Sequence, residues 1–274
     1  MKRRLYLRAK SGAFSLISAS LLLACGKNSS DVMTLKVSNG VEIDHSEYPS
    51  VVLLRVNGRD FCTGTFVNDS QLITAASCVF DTRVSNPNIQ IVEPRVVDGQ
   101  LSFYPRAQAE ELVLNPNYSR WQSRGVNGQD IGIIKFPAYT APGVRSLASL
   151  APSIAQEVAV VGYSLLQAKG DPMEDEPGLT QLQKQFAQDY VASKLDGMLV
   201  AESNLGSGDT RSLNESMTAL DIFPGKPLFV RGQLAGITSG LSYGRNAEDE
   251  VIQYQKFVDI NSMESQDFLE RELD

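Results

Sequence analysis

From about Val37 the chain alternates short apolar runs with clusters of Gly, Pro, Asn and Asp. The runs are Val51–Val56, Phe61–Val67, Leu72–Ala76, Ile131–Phe136, Val158–Tyr163, Leu228–Val230 and Gln233–Thr238. β-Branched and aromatic side chains suit a pleated, half-buried surface, and the intervening residue types supply turns. Many short strands with turn signals between them predict an all-β barrel or sandwich. Helical periodicity is absent until the end of the chain. There Asn261-Ser262-Met263-Glu264 can cap a short C-terminal helix, with the acid three residues after the cap, and Phe268, Leu269 and Leu273 can form its buried face. No internal repeat or low-complexity run is present.

The N-terminal region follows another pattern. A basic stretch from Lys2 to Lys10 precedes an apolar run from Ala13 to Ala24, which is too short to span a bilayer as a helix. This order marks an export signal. It ends in Leu22-Leu23-Ala24-Cys25, which resembles the lipobox of bacterial lipoproteins. The resemblance implies cleavage before Cys25 and acylation of its sulfur and new amino group. Residues 1–24 are then a lipoprotein signal peptide, and residues 25–36, opening on small polar residues, a tether. Gly26 follows the cysteine where the enteric sorting pattern would use Asp for retention, which implies the outer membrane of the cell envelope. An ordinary signal peptide with an incidental free cysteine is the alternative reading.

Composition narrows the partners. Hydrophobic residues make up 42% of the 274 and charged residues 21%, values ordinary for a folded soluble domain. Without residues 1–24, the net charge of −7 becomes about −12, from 20 basic and 32 acidic residues. Such a body is repelled by phosphate backbones, so no nucleic-acid partner is expected. One histidine and no close cysteine pair cannot build a zinc site, and neither metal nor cofactor is expected. The three cysteines are an odd number for an exported protein; if Cys25 carries lipid, Cys62 and Cys78 remain in the body of the domain.

The apolar runs sit among ordered motifs. Lys36-Val37-Ser38-Asn39-Gly40 is followed by Tyr48-Pro49-Ser50-Val51-Val52, then Cys62-Thr63-Gly64-Thr65 and Leu72-Ile73-Thr74-Ala75-Ala76-Ser77-Cys78. Asn115-Pro116-Asn117-Tyr118 and Asp130-Ile131-Gly132-Ile133-Ile134 come next, then Glu157 to Tyr163. Ile222-Phe223-Pro224-Gly225-Lys226-Pro227-Leu228, Gly232 to Gly240, and Phe257-Val258-Asp259-Ile260 complete the series. In order and spacing these segments resemble the trypsin/chymotrypsin family of serine peptidases from about Val37 to the C-terminus. The resemblance implies one homology domain over residues 37–274 and two packed antiparallel β-barrels, from about Val37 to Phe136 and from about Ala151 to Ile260. It also implies a disulfide between Cys62 and Cys78, which are 16 residues apart.

The catalytic positions depart from the family. Ser77 stands where the general base histidine belongs, and a serine hydroxyl has no proton affinity near neutral pH. Pro224 stands at the nucleophile and offers neither a hydroxyl nor an N–H, so one oxyanion donor is missing as well. Phe223 replaces the aspartate that pairs with the amino group freed by activation, and Ile222 replaces a glycine in the oxyanion loop. Lys226 and Leu241 replace further glycines, and Thr218 lies at the base of the specificity pocket. Of the triad only Asp130 is kept, and without a histidine to orient it reads as a buried, hydrogen-bonded acid. His45, in the turn Asp44-His45-Ser46, lies outside every catalytic motif, and Gly206-Ser207-Gly208-Asp209 reads as a plain turn. A Ser77–Lys226 pair is conceivable across the old cleft but has no oxyanion hole. The expected function is that of an inactive peptidase homologue, lipid-anchored in the bacterial envelope, which binds or scaffolds a protein or peptide partner. The alternative is an endopeptidase working with a non-standard set of residues.

Overall fold

Strand β2 (Val51–Val56) is buried along nearly its whole length. Its side chains alternate between two destinations, as the pleat requires. Val52, Leu54 and Val56 enter the core of the N-terminal sheet with Phe66, Leu72, Ile89, Ile91 and Ile134, whereas Val51 joins the layer between the two sheets. Ile73 and Ile133 also turn towards that middle layer, where they meet Val161, Phe229, Leu234, Ile237 and Val258 from the C-terminal half. A continuous apolar run is what a strand buried on both faces needs.

The computed structural model describes residues 41–58, 60–98, 100–121, 126–167, 180–204 and 223–273. The expected signal peptide, Cys25, the tether, Val37, Gly206-Ser207-Gly208-Asp209, Thr218 and Ile222 lie outside the described residues. The strands that follow β2 are β3 (Asp60–Phe66), β4 (Gln71–Thr74), β5 (Ile89–Val97), β6 (Gln100–Gln108), β7 (Glu111–Leu114) and β8 (Gly132–Lys135), with a one-turn helix α1 (Ala76–Val79) after β4. They form an antiparallel sheet in the order β6-β5-β2-β3-β4-β8-β7, whose two edge strands are consecutive in the chain. The second half contributes β9 (Glu157–Gln167), β10 (Thr180–Leu195), β11 (Met198–Asn204), β12 (Pro227–Val230), β13 (Gln233–Arg245) and β14 (Val251–Asp259). The ladder β10-β11-β14-β13-β12-β9 returns to β10 through an eleven-pair β9–β10 register running from Thr180↔Gln167 to Tyr190↔Glu157, so this sheet is a closed barrel of six strands. The all-β architecture, the antiparallel barrel of the second half and the short C-terminal helix are as expected, and the first half, expected as the other barrel, is an antiparallel sheet of seven strands.

Three details differ from the sequence reading. The two-residue strand β1 (Val41–Glu42) pairs with β10, Val41 opposite Phe186, so the leading segment joins the C-terminal barrel instead of the N-terminal sheet. The expected strand Leu72–Ala76 stops at Thr74 because the chain turns into α1. The final helix, α2 (Met263–Glu272), is capped by Ser262, whose side chain accepts from the Ser265 N–H, and not through Asn261 and Glu264. Phe268 and Leu269 are its buried face, with Leu273 partly buried against them. Cys62 of β3 and Cys78 of α1 form the disulfide that the family resemblance implies, with Cα atoms 6.3 Å apart. Among the described residues no helix is long and apolar enough to cross a membrane.

Candidate functional site at the junction of the sheets

Asp130, just before β8, is the centre of the site. It is wholly buried. Helix α1 starts directly after β4, and its N-cap residue, Ala75, has no side chain able to satisfy the first N–H groups. Asp130 supplies that missing acceptor from elsewhere in the chain, taking the Ser77 N–H at 2.6 Å on one carboxylate oxygen. Its other oxygen accepts from the Ser77 hydroxyl at 2.9 Å and from the Ser239 hydroxyl of β13 at 2.5 Å. One carboxylate therefore ties α1 of the first sheet to β13 of the second.

Electrostatics follow from this placement. Burial raises the Asp130 pKa to about 6, although the hydrogen bonds from Ser239 and Ser77 oppose the shift. The Tyr118 hydroxyl lies within hydrogen-bonding reach of Ser77; burial, and next the nearby charge of Asp130, push its pKa to about 12. At neutral pH the arrangement is an ionised carboxylate saturated by donors. One oxygen faces a backbone N–H and the other two serine hydroxyls, and no imidazole stands between them.

The Pro224 segment lies against the same junction. Pro224 accepts from the Thr63 N–H at 3.0 Å, while the Gly225 N–H donates to Thr238 at 2.9 Å and the Thr238 N–H to Lys226 at 2.8 Å. Gly225 has φ +85°, and a Cβ there would run into the Thr63 carbonyl and the Thr74 hydroxyl, with the Ala75 nitrogen close behind. Pro224 and Gly225 are thus packed on Thr74 and Ala75, the two residues that lead into α1 and Ser77. Phe223 is buried beside Leu53, Val92, Tyr163 and Leu182, with its ring 6.0 Å from that of Phe61. The position that the resemblance gives to a charged aspartate is an apolar plug between the sheets.

The conceivable Ser77–Lys226 pair is not formed. Lys226 Nζ donates to the Ser164 hydroxyl of β9 at 2.7 Å, and Ser77 is committed to Asp130. Val126 closes over Gly240 of β13, where a Cβ would collide with it, and Leu241 pairs with Gln255 of β14. His45 is exposed and stacks on Tyr163 with ring centroids 5.8 Å apart, apart from the Asp130 network. Sequence reasoning missed Ser239, Tyr118 and Ser164 as partners. Ser239 and Tyr118 lie inside the quoted segments, but nothing in their type distinguishes a carboxylate or hydroxyl partner from any other strand or turn residue.

The raised pKa of Asp130 carries a stability signature. The folded protein binds its proton more tightly than the unfolded chain, whose carboxyl keeps the ordinary value of 3.8. The stability this group contributes is complete below about pH 4 and is lost as pH rises through about 6, by a total on the order of 3 kcal/mol. Asp130→Asn cannot ionise, and the two serine hydroxyls can reorient to meet its amide. Denaturant unfolding of both proteins from pH 4 to 7.5 should show the variant gaining on the parent as pH rises, then levelling. A difference that is flat or falls with pH would refute the assignment.

Comparison with known proteins bears on the whole arrangement. The family described as Trypsin matches residues 37–263. Achelase-1 of Lonomia achelous is 27% identical over 107 residues, covering 39% of this chain; the match spans only 45% of that relative's own length. Among solved structures, neuropsin, a serine protease expressed in the limbic system of mouse brain, superposes with a TM-score of 0.56 at 18% identity. The superposition covers 86% of this chain and 99% of neuropsin. At that identity the likeness speaks for the fold alone.

Proposed function

Because this chain belongs to the trypsin family, we propose that it is a catalytically inactive homologue which binds or scaffolds a protein or peptide partner while anchored by lipid at Cys25 to the bacterial envelope. The observation that carries the reading is the Asp130 network. Ser77 donates to the carboxylate, where acyl transfer needs a base that accepts the nucleophile's proton and returns it to the leaving group. Pro224 has no hydroxyl to deprotonate and no N–H to offer a developing oxyanion. Phe223 gives a freed amino terminus no carboxylate to meet, so cleavage after Lys36 switches nothing on. Purified protein incubated with an unfolded protein substrate should generate no new peptide termini above a buffer control. Cleavage abolished by changing Ser77 or Lys226 would favour the non-standard endopeptidase instead.

The anchor is tested separately. The eleven residues from Gly26 to Lys36 span at most about 40 Å when extended, which would hold the domain just off the bilayer. Cys25→Ala should move the protein from the membrane fraction, the outer membrane in this reading, to the soluble fraction. Continued sedimentation with lipid would show that Cys25 is not the anchor.

A further inference from the structure

Lysine is among the side chains least often fully buried. Lys184, the fifth residue of β10 and paired with Tyr163 of β9, is 1% exposed. Its Nζ donates to the backbone carbonyls of His45 at 3.2 Å, Glu47 at 2.6 Å and Tyr48 at 2.8 Å. All three ammonium protons are placed on one turn. Nζ also stands 5.8 Å from the centroid of the Tyr163 ring. Among the described residues no carboxylate lies within ion-pair distance of it.

The turn it holds belongs to the leading segment of the domain. Just upstream, the Ile43 N–H donates to the Lys184 carbonyl at 3.0 Å, and just downstream the Val51 N–H donates to Tyr48 at 2.9 Å. Tyr48 has a left-handed φ of 49°, a conformation unfavourable for a bulky side chain, so the turn stores local strain. Asp44, His45 and Ser46 of the same turn are one wall of an open groove of about 870 Å³, whose other walls include Val92, Arg106 and Tyr163. This groove lies away from Asp130.

Burying a charge without a counter-charge is costly, and neutral carbonyls offset only part of the lost hydration. We propose that the Asp44–Tyr48 turn is a releasable strap: it closes one wall of the groove over a buried cation that has no ion-pair partner among the described residues, and opening it returns that cation to water. The charges that act on the ammonium are Asp44 and Glu47 of the turn, and the Tyr163 ring of β9 lies beside it, while His45 and Tyr48 contribute their backbone carbonyls. Burial lowers the Lys184 pKa to about 8, with the charges of Asp44 and Glu47 opposing the shift. Burial moves the Tyr163 hydroxyl upward, out of the same range. The closed strap therefore binds the lysine proton less tightly than the open one, in which the ordinary value of 10.5 returns. The strap is tightest at alkaline pH, and it loosens as pH falls through about 8.

Hydrogen exchange of the Ile43 and Val51 amides, corrected for the base-catalysed intrinsic rate, reads the opening directly. In the unaltered protein their protection should rise between pH 8 and 10 by up to about tenfold per unit, the linkage limit for one proton. Lys184→Arg keeps donors and charge but does not titrate in this range, so its protection should be flat. Protection that is flat or falling with pH in the unaltered protein overturns the proposal, whether or not the arginine variant folds. So does a rise in Lys184→Arg equal to that of the parent.

Discussion

Gly225→Ala should destabilise the fold by roughly 2–5 kcal/mol and lower the melting temperature by roughly 5–15 °C. Two costs combine. An L-residue held at φ +85° is strained wherever it sits, and here its Cβ also meets the Thr63 carbonyl and the Thr74 hydroxyl. Neither can move freely. The Thr63 N–H holds Pro224, and the Thr74 hydroxyl donates to that same Thr63 carbonyl at 2.8 Å. Gly232 provides the control, since its φ is +79° and a Cβ there meets nothing within 4 Å. Gly232→Ala should cost only the backbone strain of about 1–2 kcal/mol. Equal losses at the two sites in differential scanning calorimetry would show that the packing of Gly225 on the Ser77 loop contributes nothing.

The second large effect is at Phe223. Phe223→Asp removes a buried ring from the cluster of Leu53, Phe61, Val92, Tyr163 and Leu182 and leaves a carboxyl without a partner. Truncating a buried phenylalanine alone costs about 3–5 kcal/mol, and a buried carboxylate adds to that. Urea unfolding should show a loss of at least about 4 kcal/mol at pH 7. Part should return on acidification, because such a carboxyl is protonated more readily in the folded state than in the unfolded chain. A neutral substitution would mean that the Phe223 plug is dispensable.

This has a consequence for rebuilding the site. Ser77→His with Pro224→Ser would restore the three triad side chain types with Asp130, yet the double variant should remain unreactive. The Gly225 N–H stays committed to Thr238 and the residue 224 carbonyl to Thr63, while Phe223 still fills the space between the sheets. Family resemblance calls for an aspartate at 223, but in this protein that change removes a core residue. Activity and stability pull in opposite directions at this position.

Much of the fold was legible because the strands that make it are apolar. Val51–Val56, Phe61–Val67 and Leu228–Val230 announce themselves through β-branched and aromatic runs. Strand β10, at 16 residues the longest among the described residues, does not, since Gln181, Gln183, Lys184, Gln185, Gln188 and Asp189 interrupt its pattern. Several of these are buried all the same, because β10 closes the barrel against β9 and β11 and also receives β1. The burial of Lys184 depends on carbonyls well over a hundred positions earlier in the chain, which no local pattern reports. The site shows the same division. Residue types at Ser77, Phe223 and Pro224 are read from the motifs directly. That Ser239 completes the Asp130 network, and that Lys226 turns to Ser164, depends on how two distant sheets meet.

The most direct measurement of the central claim is covalent labelling of the purified, unaltered protein with a serine-reactive phosphonate, beside an active member of the family. The probe reports an activated serine without needing the substrate. No adduct is expected on intact-mass analysis under conditions that label the active relative completely. A stoichiometric adduct on Ser77, Ser164 or any other serine would contradict that claim, and would make this protein a peptidase with a new nucleophile.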